Sequence, residues 1–166
     1  EVAPGATPQQ AMASLEADHP SVATLLPSVR ATLEGTRQFL IDHQIVDLPS
    51  EVRPIVAATP PYARVGTFAS MDTPGAYERN ATEAFYYVTP TEVDWDSAHV
   101  EEHLRLYNSS VMSVITIHEA FPGHYVQFIY AKQFPTKTRK LLAANTNVEG
   151  WAHYGEQMMV EEGFGN

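Results

Sequence analysis

A chain of 166 residues with 44% hydrophobic content is long enough to bury one substantial core and short for two. Its formal net charge of −10 disfavours nucleic acid and anionic membrane surfaces as partners. It has no cysteine, so disulfides and thiolate metal sites are excluded, and any metal must be held by His, Asp or Glu.

No apolar run approaches the ~20 residues of a membrane span. The chain starts at Glu1 without a signal-peptide pattern, and it stops at Glu161 to Asn166 soon after a helical pattern. It is expected to be a piece of a longer protein. Residues 1–20 read as a loose lead-in: Pro4, Gly5 and Pro8 open it, a short helix covers 9–17, and Asp18-His19-Pro20 closes it. From there Val22, Leu25, Leu26, Val29, Leu33, Leu40 and Ile41 recur at helical spacing, which predicts a helix over 21–44. Pro27 should kink that helix or delay its start. The proline-rich stretch 48–61 reads as an extended connector. Residues 64–71 and 84–89 are strand candidates on either side of the turn signal Asp72-Thr73-Pro74-Gly75, so 64–89 should form a small hairpin or sheet. Further helices are expected over 95–107, 110–121, 124–134 and 136–144, and a last one opens at Thr146. The expected fold is mainly α with a small β element, one domain over 21–166, with 110–166 carrying the chemistry.

That chemistry centres on His118-Glu119-Ala120-Phe121-Pro122-Gly123-His124. Two histidines at i and i+4 would share a helix face; here they are at i and i+6, which leaves the second imidazole ~120° from the first on an ideal helix. Pro122 removes a helical donor and clashes with the preceding turn, and Gly123 reaches backbone angles closed to other residues. The pair should break the helix and let His124 swing back beside His118. Glu119 follows a ligand directly and is placed to take a proton from metal-bound water. Glu149 is the best candidate for a third ligand, 25 residues after His124. From spacing alone an alternative is equally good: Thr146-x-x-Glu149 is a capping box. His153 shares a face with Glu149, and orienting that residue or plain helix surface are evenly matched for it. Tyr125, Tyr154 and His153 are all candidates to stabilise an oxyanion. His99 and His103 form an i, i+4 pair, but with Glu101-Glu102 between them and no third ligand they read as a solvated helix face. Gly150, inside a helical pattern, hints at close packing against the His-Glu helix.

His118 through His124, followed by Glu149-Gly150-Trp151-Ala152-His153-Tyr154, resembles the bacterial family catalogued as domain of unknown function 885, whose members carry a His-Glu-Ala-x-Pro-Gly-His segment and a later Glu-Gly-Trp-Ala segment. That family is similar to the gluzincin metallopeptidases. The resemblance implies a zincin-like helical core, here incomplete. It also implies zinc bound by His118, His124 and Glu149, Glu119 as the catalytic carboxylate, and hydrolysis of peptide or amide bonds. A non-catalytic metal-binding or structural module of a larger protein is the alternative. The implied partners are a peptide substrate and either further segments of the same protein or another copy. The implied source is bacterial, with an extracytoplasmic location open. By analogy with gluzincins, the strand at 85–89 should line the cleft and pair its backbone with an extended substrate.

Overall fold

The computed structural model describes residues 4–165. Three strands and seven α-helices follow in the order α1 Pro8–Glu16, α2 Leu25–Asp42, β1 Ile55–Ala58, β2 Ala69–Asp72, β3 Phe85–Val88, α3 Ser97–Arg105, α4 Ser109–Glu119, α5 His124–Gln133, α6 Lys137–Leu141 and α7 Asn145–Glu161. The molecule is mainly helical with one small sheet, as its sequence predicts.

Local signals place most of the helix ends. Thr7 and Gln10 form a reciprocal capping box at the start of α1, a helix within the lead-in that buries no residue. Residues 1–3 of that lead-in lie outside the described residues. Pro27 delays α2, whose first residue is Leu25 rather than Ser21. Asp96 caps α3 through the His99 amide, and Asn108 caps α4 through the Val111 amide.

The sheet departs from the expected hairpin. β2 and β3 do pair antiparallel, with Ala69 opposite Val88 and Asp72 opposite Phe85. A third strand, β1, pairs parallel to β3 from within the proline-rich connector. Pro54 and Pro60 bracket those four residues, and prolines at strand ends sacrifice no ladder donor. The order β1-β3-β2 puts β3 in the centre. Its backbone groups are taken on both edges, so it cannot accept a substrate strand, contrary to the expectation for 85–89. Among the described residues no strand pairs with the outer edge of β2. Thr89 donates its amide to the Phe68 carbonyl, so pairing alternates from there, and the amides and carbonyls of Ala69 and Met71 point outward.

Helix α4 is central. It packs on α2, on α7 and under β2. Leu25, Val29, Leu33 and Leu40 of α2 meet Met112 and Ile117 of α4, Tyr86 and Val88 of the sheet, and Met159 of α7 in one core. The Tyr86 hydroxyl reaches Thr116 Oγ1 at 3.2 Å, tying the sheet face to α4 one turn before the His-Glu pair. His99 and His103 divide. His99 stacks on Trp95 at 3.9 Å and is exposed. His103 is partly buried with Nε2 2.9 Å from the Thr89 carbonyl, so it pins α3 to the end of β3 rather than facing water.

Candidate metal centre

The break predicted after Glu119 is present. α4 ends at Glu119, the chain turns through Phe121-Pro122 with a cis peptide bond, and α5 begins at His124. The Gly123 amide donates to the Ile117 carbonyl at 3.0 Å, folding the turn flat onto the helix it leaves. A Cβ at position 123 would lie 1.7 Å from the His118 carbonyl oxygen, so only glycine fits this approach. Helix α7 holds the turn from outside: the Trp151 indole donates to the Pro122 carbonyl at 2.9 Å. Gly155 lies against Pro122 and Ile117, where a Cβ would meet Pro122 at 3.4 Å. Gly150 has nothing within that range, so the close packing expected there belongs to Gly155.

The turn brings the two imidazoles together, ring centroids 4.7 Å apart and edge to face. Glu149 completes the group. Its Oε2 lies 3.4 Å from His118 Nε2 and 3.6 Å from His124 Nε2. One ligand atom from each of the three residues lies within 4.8 Å of the others. Zinc–nitrogen and zinc–oxygen bonds of roughly 2.0–2.2 Å in a tetrahedron place ligand atoms about 3.3–3.6 Å apart. The two carboxylate–imidazole separations fit that spacing, and the His2Glu donor set suits zinc. Glu149 is 63% exposed, so the group opens to solvent on one side, where a catalytic metal keeps a position for water. The capping-box reading of Glu149 fails: α7 is capped from Ala144 without a side-chain hydrogen bond, and Thr146 lies inside the helix.

Glu119 is buried beside the group, 9% exposed. Burial pushes its carboxyl up to about 7; the His118 ring opposes the shift, Glu149 adds to it, and the outward Met71 amide on β2 opposes it. Burial, and then the His118 ring, hold His124 below the usual imidazole range, while Glu149 and Gln127 act the other way. His124 Nδ1 and Gln127 Oε1 are both buried without an aligned partner, one helical turn apart. Gln127 also donates to the Asn147 carbonyl at 3.2 Å, joining α5 to α7 two residues before Glu149.

One residue was not foreseen. Glu156, two turns after Glu149 on α7, accepts from His118 Nδ1 at 2.7 Å. A carboxylate on the far nitrogen fixes the ring with Nε2 turned to the metal position, an arrangement usual behind histidine ligands. The i, i+7 spacing of Glu149 and Glu156 was the available signal. His153 does not orient Glu149; it reaches the other Glu156 oxygen at 3.2 Å and is largely exposed. Tyr154 follows Glu149 by five residues, about 140° around the helix, and is exposed near Trp151. The Tyr125 side chain is buried and its hydroxyl is committed to the Val52 carbonyl at 2.7 Å.

Comparison with solved structures returns two proteins. A candidate lipoprotein of unknown function from Shewanella oneidensis superposes with a TM-score of 0.79 at 30% identity, covering 99% of this chain and 30% of its own. A candidate lipoprotein from Colwellia psychrerythraea superposes with a TM-score of 0.67 at 19% identity, covering 96% of this chain and 26% of its own, and shares the fold. The chain thus spans under a third of each. No curated protein matches. No described helix is long and apolar enough to cross a membrane. The model of a bacterial family of unknown function matches residues 1–166, and with it the chain belongs to the DUF885 family.

Proposed function

We propose that this chain carries a mononuclear zinc centre that hydrolyses peptide or amide bonds, with a gluzincin-like division of labour. His118, His124 and Glu149 are the ligands and Glu119 is the general base. The observation that carries the reading is the convergence of two imidazole Nε2 atoms on one carboxylate oxygen, 3.4 and 3.6 Å from it, beside the buried carboxylate of the residue that follows His118. Held by His118, His124 and Glu149, zinc would supply Lewis acidity, bringing the pKa of water to ~7 and polarising a carbonyl oxygen.

The chain's own residues do the rest. Glu119, one residue past a ligand, takes the proton of the attacking water and hands it to the leaving nitrogen. Its burial keeps bulk water away from the proton it carries. Glu156 holds His118 in one tautomer, and His153 braces Glu156 from the solvent side. Tyr154 and Tyr125 have no part in this reading, because one projects away and the other is bonded elsewhere. The outer edge of β2 replaces β3 as the strand that an extended peptide joins, with Ala69 offering both backbone groups and Met71 its carbonyl, since the Met71 amide faces Glu119. The acidic surface favours neutral or cationic peptides over nucleic acid. The lipoprotein descriptions of the two neighbours support an extracytoplasmic location. Their greater length supports further segments of the same protein as partners of this one.

The test is to load the protein with zinc and assay a peptide panel before and after chelation. Glu119→Gln should keep zinc and lose at least ~100-fold in turnover. A Glu119→Gln protein as active as wild type removes Glu119 as the base; a zinc-loaded wild type that cleaves none of the panel ends the hydrolase reading and leaves a metal-binding module. Equal activity with and without metal removes the zinc.

A further inference from the structure

Val111, Val114, Ile115 and His118 lie within an arc of ~100° around α4, so a single stripe runs along this helix to the metal centre. The stripe stays exposed or half-buried, while Met112, Thr116, Ile117 and Glu119 on the opposite side of α4 are core. β2 runs alongside: Met71 is next to Glu119, and Phe68, three residues earlier, lines the same hollow as Val111 and Ile115. Helix and strand are therefore two rails leading from one hollow to the metal.

The hollow has a volume of about 880 Å³ and lies between α1, α3 and α4. Its walls are Met12, Phe68, Leu106, Val111 and Ile115. Met12 and Leu106 are each 53% exposed. Such an apolar lining is unusual on a surface with twice as many acids as bases. Glu16 and Glu102 stand on its rim. Glu101 is paired with Arg105 and hydrogen-bonded to His19, each 3.2 Å away, so Glu16 and Glu102 leave the rim acidic. α1 forms the outer wall without burying any residue of its own. It is tethered behind by the Asp18 carbonyl, which accepts from the Ser109 amide at 2.9 Å.

We infer that this hollow is a substrate subsite, taking one bulky apolar side chain of a peptide while the acidic rim favours a cationic group next to it. The inference rests on the hydrolase reading for the identity of its occupant. Val111 and Ile115 precede His118 by seven and three residues, ~10 and ~5 Å along the helix axis. At ~3.3 Å per residue of extended chain, the buried side chain belongs two or three positions from the bond that is cut. An acidic residue beside it meets Glu16 and Glu102 and is rejected.

The experiment uses zinc-loaded protein and quenched fluorescent peptides that vary one position at a time among Phe, Gly and Asp. Wild type should prefer Phe over Gly by ~10–100-fold at one position two or three residues from the cut. Val111→Arg, a change at an exposed position that fills the hollow, should bring that ratio near one with zinc content unchanged. Leu106→Asp should do the same by a second route. Cleavage with no such preference, or a preference that neither variant moves, overturns the subsite and leaves the hydrolase reading standing. Anisotropy with uncut peptides on the Glu119→Gln protein separates the two ideas. Phe-selective binding that Val111→Arg abolishes, without cleavage by wild type, supports the subsite and overturns hydrolysis. Neither binding nor cleavage overturns both.

Discussion

His118 and His124 stand on a block in which residues 119–126 are all buried, whereas Glu149 projects from the first turns of α7 with 63% of its side chain in solvent. The imidazole pair is held by a glycine turn, by the Trp151 indole and by Glu156 behind one ring. Nothing comparable holds Glu149, whose closest polar neighbours are the two rings it faces. The pair is therefore in place before a metal arrives, and the carboxylate loses rotamer freedom, at ~1–2 kcal/mol, only when one binds. One half of the centre belongs to the fold and the other half to the ligand.

The sharpest way to break that contrast is to alter each half with the metal absent. Gly123→Ala puts a methyl into the His118 carbonyl, so the turn must open; the expected loss is at least ~3 kcal/mol, or failure to fold. Glu149→Ala should change stability by less than ~0.5 kcal/mol, as for an ordinary surface position. Urea midpoints in the presence of chelator measure both. A mild Gly123→Ala would mean that the turn is not the anchor it resembles.

Next in size is the buried carboxylate. The Glu119 pKa is raised from 4.5 to about 7 in the folded protein. The folded state therefore binds this proton more tightly than the unfolded chain. Its contribution is fully present below about pH 4.5 and is lost as pH rises through about 7. The full swing is on the order of 3 kcal/mol. His124, held low by burial, tilts the curve the other way as pH falls below its ordinary value. The comparison that isolates Glu119 is thus wild type against Glu119→Gln, both metal-free, from about pH 5 to about pH 7.5. Wild type should lose stability relative to the variant across that range; parallel curves would mean that the carboxyl is not buried as described.

Much of this was legible in the sequence, and the failures have physical causes. The helix break was readable because proline and glycine act locally, whatever surrounds them. The strand β1 was not, because four residues between prolines show no periodicity of their own and become a strand only against β3. β3 was recognised as a strand, but whether a strand is central or at an edge depends on which segments flank it, a non-local fact. Spacing alone left Glu149 even between ligand and cap, and the start of α7 at Asn145 removes only the cap. Glu156 went unnoticed because a carboxylate on a helix surface carries no mark of what it faces. His103 was assigned to solvent for the reverse reason: its neighbours in sequence are charged, while its neighbour in space is the Thr89 carbonyl.

Glu156 gives the next smaller effect and tests whether the fixed half of the centre extends into α7. Glu156→Ala frees His118 Nδ1 and lets the ring turn, so zinc affinity should fall 10–100-fold with little change in fold. Glu156→Gln, which still accepts a hydrogen bond, should fall between. Isothermal titration with zinc reads both; equal affinities in all three proteins would return Glu156 to the helix surface.

The smallest effect separates the two glycines of α7. Gly155 faces Pro122, and a methyl there would make an ordinary 3.4 Å contact, so Gly155→Ala should be near neutral while any larger side chain pushes α7 off the turn. Gly150 faces open space in the helix interior, beside the ligand. There the only consequence of alanine is lost freedom in the unfolded chain and better helix propensity, so Gly150→Ala should stabilise by up to ~1 kcal/mol. Zinc affinity should stay put, since Glu149 is placed by the helix and not by its neighbour's lack of a side chain. If thermal melts instead show Gly150→Ala destabilised, α7 packs against another surface at Gly150, and Glu149 belongs to the rigid half after all.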